Sequence, residues 1–320
     1  MLLAATAAIS IALTPSALPV SDRLRIAQAE DIARRTGDRV WPGWSKAAFV
    51  VDLITPQNEL LIGDPSPGKS FSPLGRDELL DADVYYRQPK FTPQLEATFP
   101  LVDVPTIVIG SAEDTKLSST RWVVTLLHEH FHQWQDIQPN YYAKVTSLGL
   151  THGDTTGMWM LNYAFPYTRP DVMTALDRMR SALSTAVLDR GKPSFRPSLK
   201  RYLGLRAAFR ARLSPDDYKY FAFQCWMEGV ARYTEIRIAQ QAATTSPLPD
   251  FAKLPDASSF AADAEENYTR TLRELRLDIA KNKRVAFYAV GASEALLLDA
   301  VRPGWKARYF TEPFDLGIYF

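Results

Sequence analysis

Four histidines serve a chain of 320 residues, and three of them, His128, His130 and His132, fall within five positions. His128-Glu129-His130-Phe131-His132 has the pattern H-E-x-x-H. On a helix of 3.6 residues per turn, His128 and His132 leave the same face one turn apart, so both imidazoles reach a single zinc ion. Glu129 is turned by about 100° from them and can act as general base toward a water in the same site. His130 points elsewhere and is not counted as a ligand. A solvated His-rich helix face is the plainer alternative, but it does not explain why a histidine-poor chain gathers them at metal spacing.

Zinc of this kind takes a third protein ligand and leaves a position for water. His152, Asp154 and an acidic residue farther along the chain are the choices. The foremost is Glu228, in Trp226-Met227-Glu228-Gly229. A carboxylate inside an apolar helix is costly unless a cation accompanies it, while an amphipathic helix carrying a surface glutamate accounts for the same residues equally well. Position 138 is Gln, which excludes the astacin-like pattern with a further histidine there. The lone Cys225 reads as a small buried residue.

These residues need a helix over 118–136, where Val123, Val124, Leu126, Leu127 and Trp134 supply an apolar face. Further helices are expected at 21–35, 171–189, 197–212, 215–241, 259–281 and 284–301, with Ser214 and Pro215 as a cap and first-turn proline. Strands are expected at 47–54, 59–62, 82–87 and 104–109, rich in Val, Ile and Tyr. Strands first and helices afterwards mean an α+β architecture. The organisation expected is an export signal over 1–20, a strand-rich lobe over 21–115 and a helical lobe over 116–320, the last two packed as one unit. The twelve-residue apolar run Leu2–Leu13 is too short to span a bilayer and implies a periplasmic or secreted protein.

Lys and Arg number 37 against 36 Asp and Glu, a net charge of +1, which argues against nucleic acid as a partner. No stretch after the signal is long and apolar enough for a membrane span. Gly63-Asp64-Pro65-Ser66-Pro67-Gly68-Lys69-Ser70 spells the phosphate-loop pattern, yet Pro65 and Pro67 have no N–H to offer a phosphate, and Pro73 and Gly75 interrupt any helix there. No nucleotide is expected.

In three ordered islands between Gly110 and Asp299 the chain resembles the gluzincin metallopeptidases, in the branch of aminopeptidase N and the glycyl aminopeptidases. His128-Glu129-His130-Phe131-His132-Gln133-Trp134 matches their H-E-x-x-H-Q-W. Glu228, Gly229, Ala231, Tyr233 and Glu235 match E-G-x-A-x-Y-x-E, and Tyr288-Ala289-Val290-Gly291 matches Y-x-x-G. The resemblance implies a thermolysin-like zincin core: a small twisted sheet over the zinc-motif helix and a mainly helical lower lobe. It implies Zn2+ on His128, His132 and Glu228, Glu129 as general base, Tyr288 as donor to the oxyanion, and Glu235 behind a ligand histidine. The family's G-x-M-E-N amine anchor is degraded to Gly110-Ser111-Ala112-Glu113-Asp114, which makes Gly110 and Glu113 substrate-binding candidates, although an acidic residue at such a place more commonly serves a turn or helix start. The interval of 96 residues between His132 and Glu228 is longer than in aminopeptidase N and implies inserted helices.

The expected function is hydrolysis of a peptide or protein substrate. The alternatives are a zinc hydrolase of another amide or ester, and a non-catalytic binding protein on the same fold. Glu129 weighs against the last, since a structural zinc has no use for a base.

Overall fold

The computed structural model describes residues 17–320. Of the expected export segment, residues 1–16 lie outside the described residues. α1 (Val20–Val40) follows, longer than the expected 21–35. Its apolar face, Ile26, Ala29, Ile32, Ala33 and Val40, is buried through to the last turn, and the helix stops at Trp41-Pro42-Gly43, where Gly43 adopts φ 90°.

Six strands follow: β1 (Val51–Ile54), β2 (Glu59–Ile62), β3 (Ser72–Asp77), β4 (Ala82–Arg87), β5 (Glu96–Pro100) and β6 (Pro105–Gly110). They form one sheet in the order β3-β4-β2-β1-β6-β5, antiparallel except for the parallel pair β1/β6, in which Val51 faces Ile107. β3 and β5 were not expected from sequence. Both carry exposed residues and proline, which edge strands tolerate because an outward N–H has no strand partner to lose. The segment 63–70 leads into β3, so no helix opens behind the phosphate-loop pattern.

One face of the sheet, with Val51, Leu53, Leu60, Ile62, Ile107 and Ile109, joins the main core under the helices. The other carries Val50, Leu61 and Phe71 in a smaller cluster, as the two-residue alternation of strand side chains requires. Asp52, Glu59 and Arg87 are buried beside that smaller cluster.

The rest is helical: α2 (Ala112–Thr115), α3 (Ser119–Asp136), α4 (Tyr141–Ser147), α5 (Trp159–Asn162), α6 (Pro170–Leu188), α7 (Phe195–Arg210), α8 (Pro215–Gln224), α9 (Val230–Ala242), α10 (Phe260–Glu274), α11 (Ile279–Asn282) and α12 (Val285–Val301). The expected helix 215–241 is divided between α8 and α9 by a π-helical segment, Cys225–Gly229. α3 lies against β5 and β6, while α1 and α9 pack on α3 from the other side. α1 therefore belongs to the helical layer, although it precedes the strands in sequence. Apart from α1, the strands come first and the helices after them, which is compatible with the α+β arrangement expected. No helix among the described residues is long and apolar enough to cross a membrane.

Candidate metal centre

α3 starts cleanly because the Ser118 hydroxyl accepts from the Arg121 N–H (3.3 Å). Its residues from Trp122 to Gln135 are buried, so the helix runs through the core between sheet and helices. His128 and His132 project together into a cleft, their rings edge to face with centroids 4.8 Å apart. Gln133, in the next position, donates to the Val50 carbonyl (2.9 Å) and the Pro105 carbonyl (2.8 Å), which fastens α3 to β1 and β6.

Glu228 reaches the same cleft from the π segment. A Cβ on Gly229 would lie 2.5 Å from the Gly291 Cα, and one on Gly291 would lie 2.1 Å from the Cys225 carbonyl oxygen. The two glycines let α12 press against the π segment, and Tyr288, one turn before Gly291, arrives beside Glu228. The wide turn of a π segment re-aims side chains relative to a continuous α-helix. Arg284 donates to the Tyr288 hydroxyl and stands 3.5 Å from Glu228. Burial and the Glu228 charge hold the Tyr288 phenol far above its usual pKa, so it stays a donor.

Hydrogen bonds behind the histidines fix which nitrogens face the cleft. The Tyr309 hydroxyl donates to the Trp226 carbonyl (2.6 Å) and accepts from the Gln135 amide (2.7 Å), which also donates to the Met227 carbonyl (3.3 Å). The Gln135 oxygen is thereby left to accept from His132 Nδ1 (2.6 Å), and Glu235 accepts from His128 Nδ1 (2.7 Å). Both Nε2 lone pairs then point into the cleft, 3.1 Å apart. Glu228 Oε2 lies 3.6 Å from the Nε2 of His132 and 3.9 Å from that of His128.

Two facing lone pairs and a carboxylate call for a cation. Without one, a proton serves. Burial opposes protonation of His132, but the hydrogen bond and charge of Glu228 outweigh it and hold the imidazole up at about 9. Burial likewise pushes Glu228 up, but His132, His128 and Arg284 prevail and hold it at about 2. The three ligand atoms lie within 4.8 Å of one another. Two imidazoles and a carboxylate are a zinc donor set, and bonds of 2.0–2.1 Å on a tetrahedral ion set ligand atoms about 3.4 Å apart. The spacings of 3.1, 3.6 and 3.9 Å bracket that value.

Glu235 is itself held by the guanidinium groups of Arg121, Arg232 (3.2 Å) and Arg270 (2.9 Å). Burial raises its pKa, but the charges of Arg121 and Arg232, with His128, keep it ionised well below the usual range. Glu129 stands where β5 passes over α3. The Thr98 hydroxyl lies 2.8 Å from Glu129 Oε2 and 2.9 Å from the Glu129 carbonyl. Thr98 was missed with its strand, and the signal for it was weak: an Ala-Thr-Phe alternation between Pro93 and Pro100.

Gly110 and Glu113, the substrate-binding candidates, are not among the residues that line this cleft, and Glu113 stands in the first turn of α2, the helix-start place its acidity favours. Glu113 receives two hydrogen bonds from Arg25 (2.9 and 2.8 Å), a residue of α1 that also binds Asp22. Gly110 is required by packing, because a Cβ there would lie 1.7 Å from the Pro93 carbonyl oxygen. Glu96, on β5, lines the cleft instead. His130 packs against Trp44 and Phe49 (5.4 and 4.5 Å between centroids), and burial lowers its pKa to about 4, leaving a neutral core residue. Cys225 is fully buried, and His152 sits exposed in a left-handed turn (φ 47°).

Comparison with protein-family models, with curated proteins and with solved structures found no match for this chain.

Proposed function

We propose that this chain is a zinc-dependent peptidase with a thermolysin-like zincin core, in which His128, His132 and Glu228 hold the ion. The carrying observation is the pair of imidazole Nε2 atoms facing each other at 3.1 Å beside an ionised carboxylate, each Nδ1 engaged by an acceptor. Zinc in such a site supplies Lewis acidity and lowers the pKa of water toward neutrality.

The chain's own groups provide the rest. Glu129, oriented by Thr98, takes a proton from the attacking water and returns it to the leaving amine. Tyr288 offers an O–H toward developing negative charge, with Arg284 behind it. β5 is the last strand of the sheet, and Leu95 to Phe99 line the cleft. Its outer edge can take an extended peptide by strand addition, which favours a peptide over a small amide.

The test is turnover of a broad peptide library by the zinc-loaded protein and by Glu129→Gln. Loss of the general base should cost about 10²–10⁴-fold in rate with zinc content unchanged. Equal turnover by both proteins, or turnover by neither, contradicts the proposal.

A further inference from the structure

A cavity of about 420 Å3 opens off the metal cleft beneath the end of β5, within the usual range for small-molecule pockets. Thr98, Phe99, Thr156, Gly157, Met160 and Met227 line both spaces, so the cavity is continuous with the cleft. We propose that this cavity is the specificity pocket of the enzyme, accepting a bulky apolar or aromatic side chain next to the scissile bond. This rests on the hydrolase reading above.

Its far walls are Tyr141, Val145, Trp159 and Phe223, a lining of rings and branched carbons. The Met160 and Met227 thioethers at the junction can adjust to an entering ring. Met227 also ties the pocket to the metal site: it precedes Glu228, and its carbonyl accepts from the Gln135 that holds His132. Asp136 lies in the wall, where its carboxyl accepts from the Tyr142 hydroxyl (3.1 Å) and disfavours an acidic side chain.

The rim is the turn between α4 and α5, built with left-handed backbone at His152, Gly153 and Gly157. Asp154 closes it by accepting from the Thr156 N–H (2.7 Å) and the Trp159 N–H (2.6 Å), which sets Trp159 in the wall. Arg121, Arg232 and Arg270 line the metal cleft and not the cavity.

Two pairs of probes test the proposal. On the zinc-loaded protein, 3-phenylpropanohydroxamate should bind about tenfold to a hundredfold more tightly than acetohydroxamate, the return from burying one ring. On zinc-free protein, N-acetylphenylalaninamide should perturb the Trp159 indole resonance at concentrations where N-acetylalaninamide does not. Val145→Trp fills the pocket from α4 and Thr155→Trp from the exposed rim, so a folding failure of the first leaves the second. Either filled variant that folds should bring the two hydroxamates to within about twofold, with zinc content unchanged. Equal affinity of both hydroxamates for the wild type, or a preference that neither variant alters, overturns the pocket. A chain that binds no zinc yet keeps its preference for the aromatic amide supports the pocket and removes the hydrolase reading beneath it.

Discussion

Carboxylates are buried in two parts of this molecule, and the surroundings make opposite acids of them. Around the proposed metal triad, Glu235 is met by three guanidinium groups and His128, and Glu228 by two imidazoles and Arg284. On the outer face of the sheet, Asp52 and Glu59 share Arg87, whose Nε goes to Glu59 (2.5 Å) while Nη2 stays 3.6 Å from Asp52. Neither Asp52 oxygen receives a hydrogen bond from Arg87. Burial and the Glu59 charge therefore push Asp52 up to about 8, whereas Glu228 is held at about 2. Glu235 is buried about as deeply as Asp52 while Glu228 is partly exposed, and for the two deep carboxylates the supply of donors decides which is ionised. The sheet cluster leaves Asp52 protonated; the cleft cluster keeps its carboxylates ionised, as the proposed metal site requires.

Removing the acceptor behind His128, a proposed metal ligand, tests the first half of that contrast. Glu235→Gln should weaken zinc binding about 10–100-fold, read by competition with a chelator. It also leaves Arg121, Arg232 and Arg270 without their shared carboxylate, so the thermal midpoint should fall as well. Unchanged zinc affinity would place the cleft cluster on the same footing as the sheet cluster.

Gly291→Ala tests whether backbone contact delivers Glu228 and Tyr288 to the cleft. With a Cβ 2.1 Å from the Cys225 carbonyl oxygen, α12 must move away from the π segment, at a cost of roughly 1–3 kcal/mol by denaturant titration. Peptide turnover should drop together with stability.

Asp52→Asn tests the other half. The native state keeps the Asp52 proton between pH 4 and about 8, where the unfolded chain has released it, so stability declines as pH rises through that window. The neutral amide should flatten the decline and raise stability at pH 9 by roughly 1–3 kcal/mol. Zinc affinity should not change. A pH profile identical to the wild type would contradict the assignment.

How much of this could be read from the chain follows the range of the interactions. The helix α3 announces itself locally, because two histidines four apart in an apolar helical pattern are a short-range signal. Ser214 as a cap is equally local, and its hydroxyl accepts from the Asp217 N–H (3.1 Å). The helix-start role of Glu113 was legible locally, and it stands in the first turn of α2, but its partner Arg25 lies 88 residues away and nothing in the local pattern names it. β5 was missed because a short edge strand bounded by prolines reads as a loop until β6 is beside it, and Thr98 and Glu96 went with it. The π segment was read as plain helix, since only the approach of α12 through Gly291 shows why residues 225–229 need a wider turn.

The most direct test is zinc K-edge absorption on the full chain after saturation and exhaustive dialysis. One zinc per chain is expected, with two imidazole nitrogens and carboxylate oxygen at about 2.0–2.2 Å, and loss of the ion from the double variant His128→Ala, His132→Ala. A chain that retains no zinc, or a double variant that keeps it with the same spectrum, would contradict the metal site.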